Sequence, residues 1–147
     1  MKKLSFKIFI FIILIVVTSS YNISNETILS IEVTSIPVAK KGNLRIGIFK
    51  KEGYPNPEKA VNGKVISVTS NKMIVNFPNF PAGIYGVAVI HDHDKNGKLS
   101  RNAFGYPTEA YGFSNNKFGT FGPPEFDEIS FKVNEGKQTT ISIKLKN

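Results

Sequence analysis

From residue 28 onward the chain is a succession of short β-branched and aromatic runs, punctuated by glycine, proline and asparagine, and no stretch keeps a helical period. That pattern points to an antiparallel β fold. Ile28 to Ser35 is rich in β-branched residues; Leu44, Ile46 and Ile48 alternate with Arg45 and Gly47; Val65 to Thr69 and Met73 to Phe77 are shorter runs of the same kind. Lys41-Gly42, Asn62-Gly63 and Ser70-Asn71 read as turns between them. Ile84 to Ile90 is apolar on both parities apart from Tyr85 and Gly86, which predicts a central strand covered on both faces. Ile129, Phe131 and Val133, then Ile141, Ile143 and Leu145, predict a closing hairpin that turns at Asn134 to Lys137. About seven antiparallel strands in this length imply an all-β, two-sheet sandwich.

The first twenty residues differ in composition. Lys2, Lys3 and Lys7 precede an unbroken apolar run from Ile8 to Val17, followed by small polar residues, the pattern of a secretory signal peptide over residues 1–20. The run is shorter than the roughly 20 residues that span a bilayer as a helix, so no transmembrane span is expected once the leader is cleaved. Residues 21–27 read as a flexible lead-in and 28–147 as a single domain, in an extracytoplasmic protein that is periplasmic or secreted. The chain has no cysteine, so in that compartment the core, or a bound ion, must hold the fold without disulfides. The formal net charge is +8, of which the leader lysines supply three, and the remaining lysines are scattered. Nucleic-acid binding would want a basic stripe with interleaved aromatics, and none is present. The surplus suits solubility and mild affinity for anionic surfaces.

One interval breaks the regular strand spacing. Asp92 to Asp127 shows no obvious strand, a length of connection that is usually functional or disordered. Disordered segments are poor in aromatics, whereas this one carries Phe104, Tyr106, Tyr111, Phe113, Phe118, Phe121 and Phe126. An ordered loop packed on its own rings is therefore expected.

The interval opens with HDHDKNGKLS, His91 to Ser100. Calcium takes six to eight oxygens, and a short loop can supply them from alternate positions while a glycine permits the sharp turn. Asp92, Asp94 and Asn96 occupy first, third and fifth places, Gly97 the sixth, Lys98 the seventh, where only its carbonyl is needed, and Ser100 the ninth; Leu99 would anchor the loop in the core. The twelfth place is Ala103, so the closing carboxylate of an EF-hand is missing and must come from elsewhere. Glu109 is the nearest acid downstream, with Glu125, Asp127 and Glu128 as alternatives. The blander reading is an Asx-rich turn whose side chains satisfy backbone N–H groups. His91 and His93, two apart on a strand, would share a face and supply a zinc site instead. They are the only histidines, and the further ligands of a metallohydrolase run are absent, so zinc is disfavoured against calcium.

FPNFPAGIYGVAVIHDHDKNGKLSRNAFGYPTEAYGFSNN, followed by GPPEF and two closing strands, resembles the bacterial domain-of-unknown-function family 2141. His91, Asp92, Asn96, Gly97, Lys98, Gly105, Pro107, Glu109, Gly112, Phe113 and Ser114 match its signature, while His93, Asp94 and Ser100 depart from it. The resemblance implies an exported sandwich of the transthyretin or carboxypeptidase-regulatory kind, prealbumin-like or immunoglobulin-like in layout, with no established activity. It also ties Glu109 to the metal loop, because the two segments come as one unit. The expected function is a non-enzymatic binding or accessory module. In it Asp92, Asp94, Asn96, Lys98, Ser100 and Glu109 hold calcium, and Phe104, Tyr106, Tyr111, Phe113, Phe118 and Phe121 offer a surface to a protein or glycan. A metal-dependent hydrolase using His91 and His93, or a purely structural envelope domain, are the alternatives.

Overall fold

The alternation in the first strand places Leu29, Ile31 and Val33 on one face, all wholly buried, against the matching face of Leu44, Ile46 and Ile48. Burying those two faces against each other is what makes two layers, since each sheet has a single apolar side to cover. The computed structural model describes residues 25–147; the expected leader and most of the lead-in lie outside the described residues. Eight strands follow in order: β1 (Ile28–Thr34), β2 (Asn43–Phe49), β3 (Asn62–Ser67), β4 (Met73–Phe77), β5 (Gly83–Asp92), β6 (Tyr111–Phe113), β7 (Phe131–Val133) and β8 (Gln138–Lys144). One sheet runs β4-β1-β8; the other runs β3-β2-β5-β6, with β7 also paired to β5. A single helical turn, α1 (Phe126–Ile129), follows the long connection. Among the described residues no helix is long and apolar enough to cross a membrane.

The all-β two-layer expectation holds, with three differences. The closing hairpin does not form: β7 pairs antiparallel with β5, whereas β8 crosses to the other sheet and runs parallel to β1. Periodicity tells which face a strand buries and not which edge it joins, so the pattern could not separate these outcomes. Asn62-Gly63 is the start of β3 rather than a turn. Gly63 lies against β2 so closely that a Cβ would stand 2.4 Å from the Ile46 carbonyl oxygen. The third difference is β6, a strand within the interval that showed none. Three residues centred on a glycine are too few to display alternation.

β5 is the central strand of its sheet and carries the site. Tyr85, Val87 and Val89 point into the core, and on the opposite face Gly86 lies beneath Phe126 and Ile129 of α1. The covering of both faces expected from its sequence is met on the core side by the second sheet, and on the other side only at Gly86 beneath α1, since Ile84 is 60% exposed and Ala88 and Ile90 are half-buried. Tyr111 and Lys146 exchange backbone hydrogen bonds of 2.9 and 2.8 Å, which ties β6 to the chain just beyond β8. The two layers are thus joined at the end where β5 emerges.

Candidate functional site

β5 delivers His91 and Asp92 to this end of the sandwich with opposite parity. His91 is fully buried, and its Nε2 donates to the Lys41 carbonyl, while Nδ1 is buried with no partner among the described residues. Asp92 is paired in register with Asn43 of β2, which sets it on the same face as Arg45, two residues along. Arg45 Nη1 lies 3.7 Å from Asp92 Oδ2. Alternation along β2 makes Arg45 outward-facing, but only the β2–β5 register brings it to Asp92, so the sequence carried no sign of its place in the site.

The chain then turns back on itself. Asp92 Oδ2 accepts from the Gly97 backbone N–H at 3.0 Å, and Gly97 adopts φ +85, a conformation that costs glycine little and other residues much. Asp94 Oδ1 accepts from Asn96 N at 3.0 Å, and Asn96 Oδ1 accepts from Lys98 N at 2.9 Å. Asp94 Oδ2 accepts from the Asn96 amide and from the Ser100 hydroxyl at 2.8 and 3.0 Å. These are the short-range bonds of an Asx turn. The Asn96 N–H holds the Asp94 carboxyl below its ordinary value, a smaller desolvation opposes it, and the Ser100 hydroxyl, the Asp92 side chain and His93 reinforce the lowering.

Two features exceed what such a turn needs. Glu109 reaches back from just before β6, with Oε1 accepting from His93 N at 2.9 Å and Oε2 from Ser100 N at 3.0 Å. It clasps the two ends of the loop, and only 1% of it is exposed. His93 Nδ1 also lies 2.9 Å from Glu109 Oε1, close enough to pair when protonated but out of line for a hydrogen bond. Second, Asp92 is equally buried and its Oδ1 has no partner among the described residues. Oxygens of Asp92, Asp94 and Glu109 converge within 4.8 Å of one another, and neither imidazole belongs to the group. A buried carboxylate costs several kcal/mol unless it is paired, and among the described residues the half-exposed Arg45 is the single side-chain cation that forms an ion pair with these acids apart from His93.

Of the expected ligands, the structure brings together Asp92, Asp94 and Glu109, with Asn96 and Ser100 bonded to Asp94. Lys98 touches the set through its backbone N–H. The alternative closing acids are elsewhere: Asp127 is paired with Lys51 at 2.9 Å, and Glu125 and Glu128 form the capping box of α1. Leu99 is half-buried and lines a cleft instead of joining the core.

The aromatic segment divides in two. Tyr111, Phe113 and Phe118 pack edge to face on one another with centroids 5.7 to 6.2 Å apart, and Lys146 Nζ sits 5.5 Å over Phe118. Phe104, Tyr106 and Phe121 are 87%, 70% and 102% exposed. The expectation of a loop packed on its own rings holds for the first three and fails for the others, which sit on tips where no second layer covers them.

Ser114, Asn115 and Asn116, which end the signature segment, serve the fold. Ser114 is fully buried; its hydroxyl accepts from Val87 N at 2.9 Å and donates to the Ile129 carbonyl. Asn115 donates to the carbonyls of Glu128 and Ser130, and Asn116 bonds Ser142 O and Lys144 N on β8. Three consecutive side chains thereby staple β5, α1 and β8.

β5 thus ends in an acidic loop that a buried carboxylate closes, at one end of a two-layer sandwich. The family model for an uncharacterized protein conserved in bacteria (DUF2141) matches residues 31–142, which include the loop, its Glu109 clasp and the staple, and the chain belongs to that family. No curated protein and no solved structure matches the chain.

Proposed function

We propose that the protein is an exported, non-enzymatic, transthyretin-like binding module in which the Asp92–Ser100 loop, closed by Glu109, binds calcium and fixes an aromatic contact surface. The observation that carries this reading is the convergence of three carboxylates, two of them buried, one with an oxygen that has no partner. A hard divalent cation supplies the missing countercharge, and an all-oxygen set selects calcium over zinc. The two N–H bonds on Glu109 leave lone pairs on both oxygens, because a carboxylate has about four acceptor sites. The hydrolytic alternative draws no support from the imidazoles, since His91 is buried against the Lys41 carbonyl.

Calcium would act on order. Residues 100–108 form a small hairpin that hangs from the loop through Thr108 N to Ser100 O and Asn102 N to Tyr106 O, each 2.9 Å. The later segment is tied instead to β6 by Phe118 on Tyr111 and Phe113, and to Tyr54 through the Pro124 carbonyl. Calorimetric titration of metal-stripped protein should show one calcium per chain, and limited trypsin digestion in chelator should quicken cleavage after Lys95, Lys98 and Arg101 while leaving Lys117 unchanged. Absence of binding heat, together with identical digestion in calcium and chelator, would sink the proposal in favour of the Asx turn.

A further inference from the structure

We infer that the cleft between the 100–108 hairpin and residues 119–123 is a docking surface for the anionic phospholipids of a bilayer. This rests on reading the aromatic segment as a contact surface and does not rest on calcium. The cleft encloses about 410 Å³, the scale of a small-ligand pocket and so of a lipid headgroup, and Leu99, Arg101, Tyr106, Pro107 and Phe121 are among its walls. Phe104 and Phe121 stand at its two rims almost wholly in water. Neither they nor Tyr106 stacks on another ring among the described residues. Uncovered phenylalanines on separate loop tips gain most from an apolar phase that they can enter singly.

Charge selects the kind of surface. Among the described residues Arg101 is the one charged side chain lining the cleft, and no carboxylate lines it. Its Nη1 donates to the Gly105 carbonyl at 2.8 Å, and no acid among the described residues forms an ion pair with it. Most of its five N–H donors are left to face an anionic oxygen, in the fork geometry that suits phosphate. Exposed Lys98 and Lys117 flank the wall residues in sequence, and Lys146 lies over Phe118 behind them. A polysaccharide would want amide and carboxylate side chains to bond its hydroxyls, and the cleft has none. A protein partner would want one continuous patch rather than separate tips. Rings at the rim with a cation between them match a phosphate headgroup at the level of a bilayer interface.

The test is co-sedimentation of the full chain with vesicles of phosphatidylcholine alone and of phosphatidylcholine mixed with phosphatidylglycerol, in calcium and in chelator, at low and high salt. Binding is expected to the mixed vesicles only and to weaken with salt. Partition should fall about tenfold or more in F104S/F121S and several-fold in Arg101→Gln, while melting temperature stays put because all three side chains are exposed. Failure to bind mixed vesicles, or binding that survives both variants, overturns the inference. So does retention on insoluble cell-wall glycan, without vesicle binding, that is lost in F104S/F121S; that result assigns the cleft to a sugar. A protein that binds calcium by calorimetry but no vesicle refutes the lipid surface alone, and one that binds vesicles equally in chelator refutes only a role for calcium in it.

Discussion

Glu109→Gln separates a metal ligand from a structural clasp, because the two roles respond differently to calcium. The carboxylate accepts one backbone N–H on each oxygen, at 2.9 and 3.0 Å, in a side chain with no exposure. An amide can accept only one of them, and its NH₂ faces the other. A buried donor left unpaired costs about 1–3 kcal/mol. Against that, the substitution removes a negative charge no more than 4.8 Å from buried Asp92. Such a pair at an effective dielectric of about 20 repels by about 3.5 kcal/mol before local dipoles screen it. In chelator the loss and the relief are of the same size, so the variant should melt within about 5 °C of the native protein. In calcium at a hundredfold above its dissociation constant, the proposed binding should stabilise the native protein by about 2.7 kcal/mol, which for a domain of this size is about 10 °C. The variant should lose nearly all of that gain.

Differential scanning calorimetry of both proteins in both conditions measures the four melting temperatures. Were Glu109 only a clasp, calcium would raise neither curve, or both equally. An undiminished calcium increment in the variant would refute its place among the ligands.

Asp92→Asn should abolish the calcium response and, unlike Glu109→Gln, stabilise the chelated protein by about 1 kcal/mol, because the amide removes one of three converging negative charges yet keeps an oxygen for the Gly97 N–H. A lower melting temperature in chelator would show that the lost pairing with Arg45 outweighs the relieved repulsion. Tyr54 donates to the Pro124 carbonyl at 2.9 Å, and burial, with Glu125 and Glu128 adding, pushes its hydroxyl up to about 12 from 10.0. A raised folded-state value contributes stability that is present below pH 10 and lost between 10 and 12. Tyr54→Phe should therefore be about 1 kcal/mol less stable at neutral pH, with the difference closing across that window, and a constant gap would refute it. Intact-mass measurement of protein recovered from its native host should give a chain beginning near Tyr21; a full-length, membrane-embedded product would overturn the assignment of export.

The layers of the fold were legible because alternation reports burial directly: Leu29, Ile31 and Val33, or Leu44, Ile46 and Ile48, could face nothing but a core. Strand partners were less legible. The apolar residues of β8 fit beside β7 or β1 equally well, and the choice fell to the arch at Asn134 to Lys137. In the site, the D-x-D-x-N-G spacing disclosed Asp92, Asp94 and Asn96, since a tight loop brings alternate positions together by local geometry alone. Glu109 could be ranked first among the acids but not placed, and Arg45 was invisible, because both depend on pairings between distant segments. The orphaned Asp92 oxygen is a property of three dimensions only.

The signature segment from Glu109 to Asn116 joins two tasks that the geometry keeps apart. At one end is the clasp, at the other the Ser114 staple, with β6 between them. Loosening the staple could in principle loosen the clasp. Between them, however, His91 N bonds Ala110 O at 2.8 Å and Tyr111 exchanges two bonds with Lys146, so the backbone beside Glu109 is pinned independently of Ser114. Ser114→Ala leaves Val87 N–H and the Ile129 carbonyl buried without their partner, at about 1–3 kcal/mol for each. The expected result is a large fall in melting temperature, equal in calcium and chelator, with a calcium dissociation constant within about twofold of native at 25 °C, since a change of that size is under about 0.5 kcal/mol. A tenfold weaker affinity in a variant that is still folded would show that the staple positions the ligand after all. In that event the eight residues act as one lever rather than as a clasp and a rivet on the same short strand.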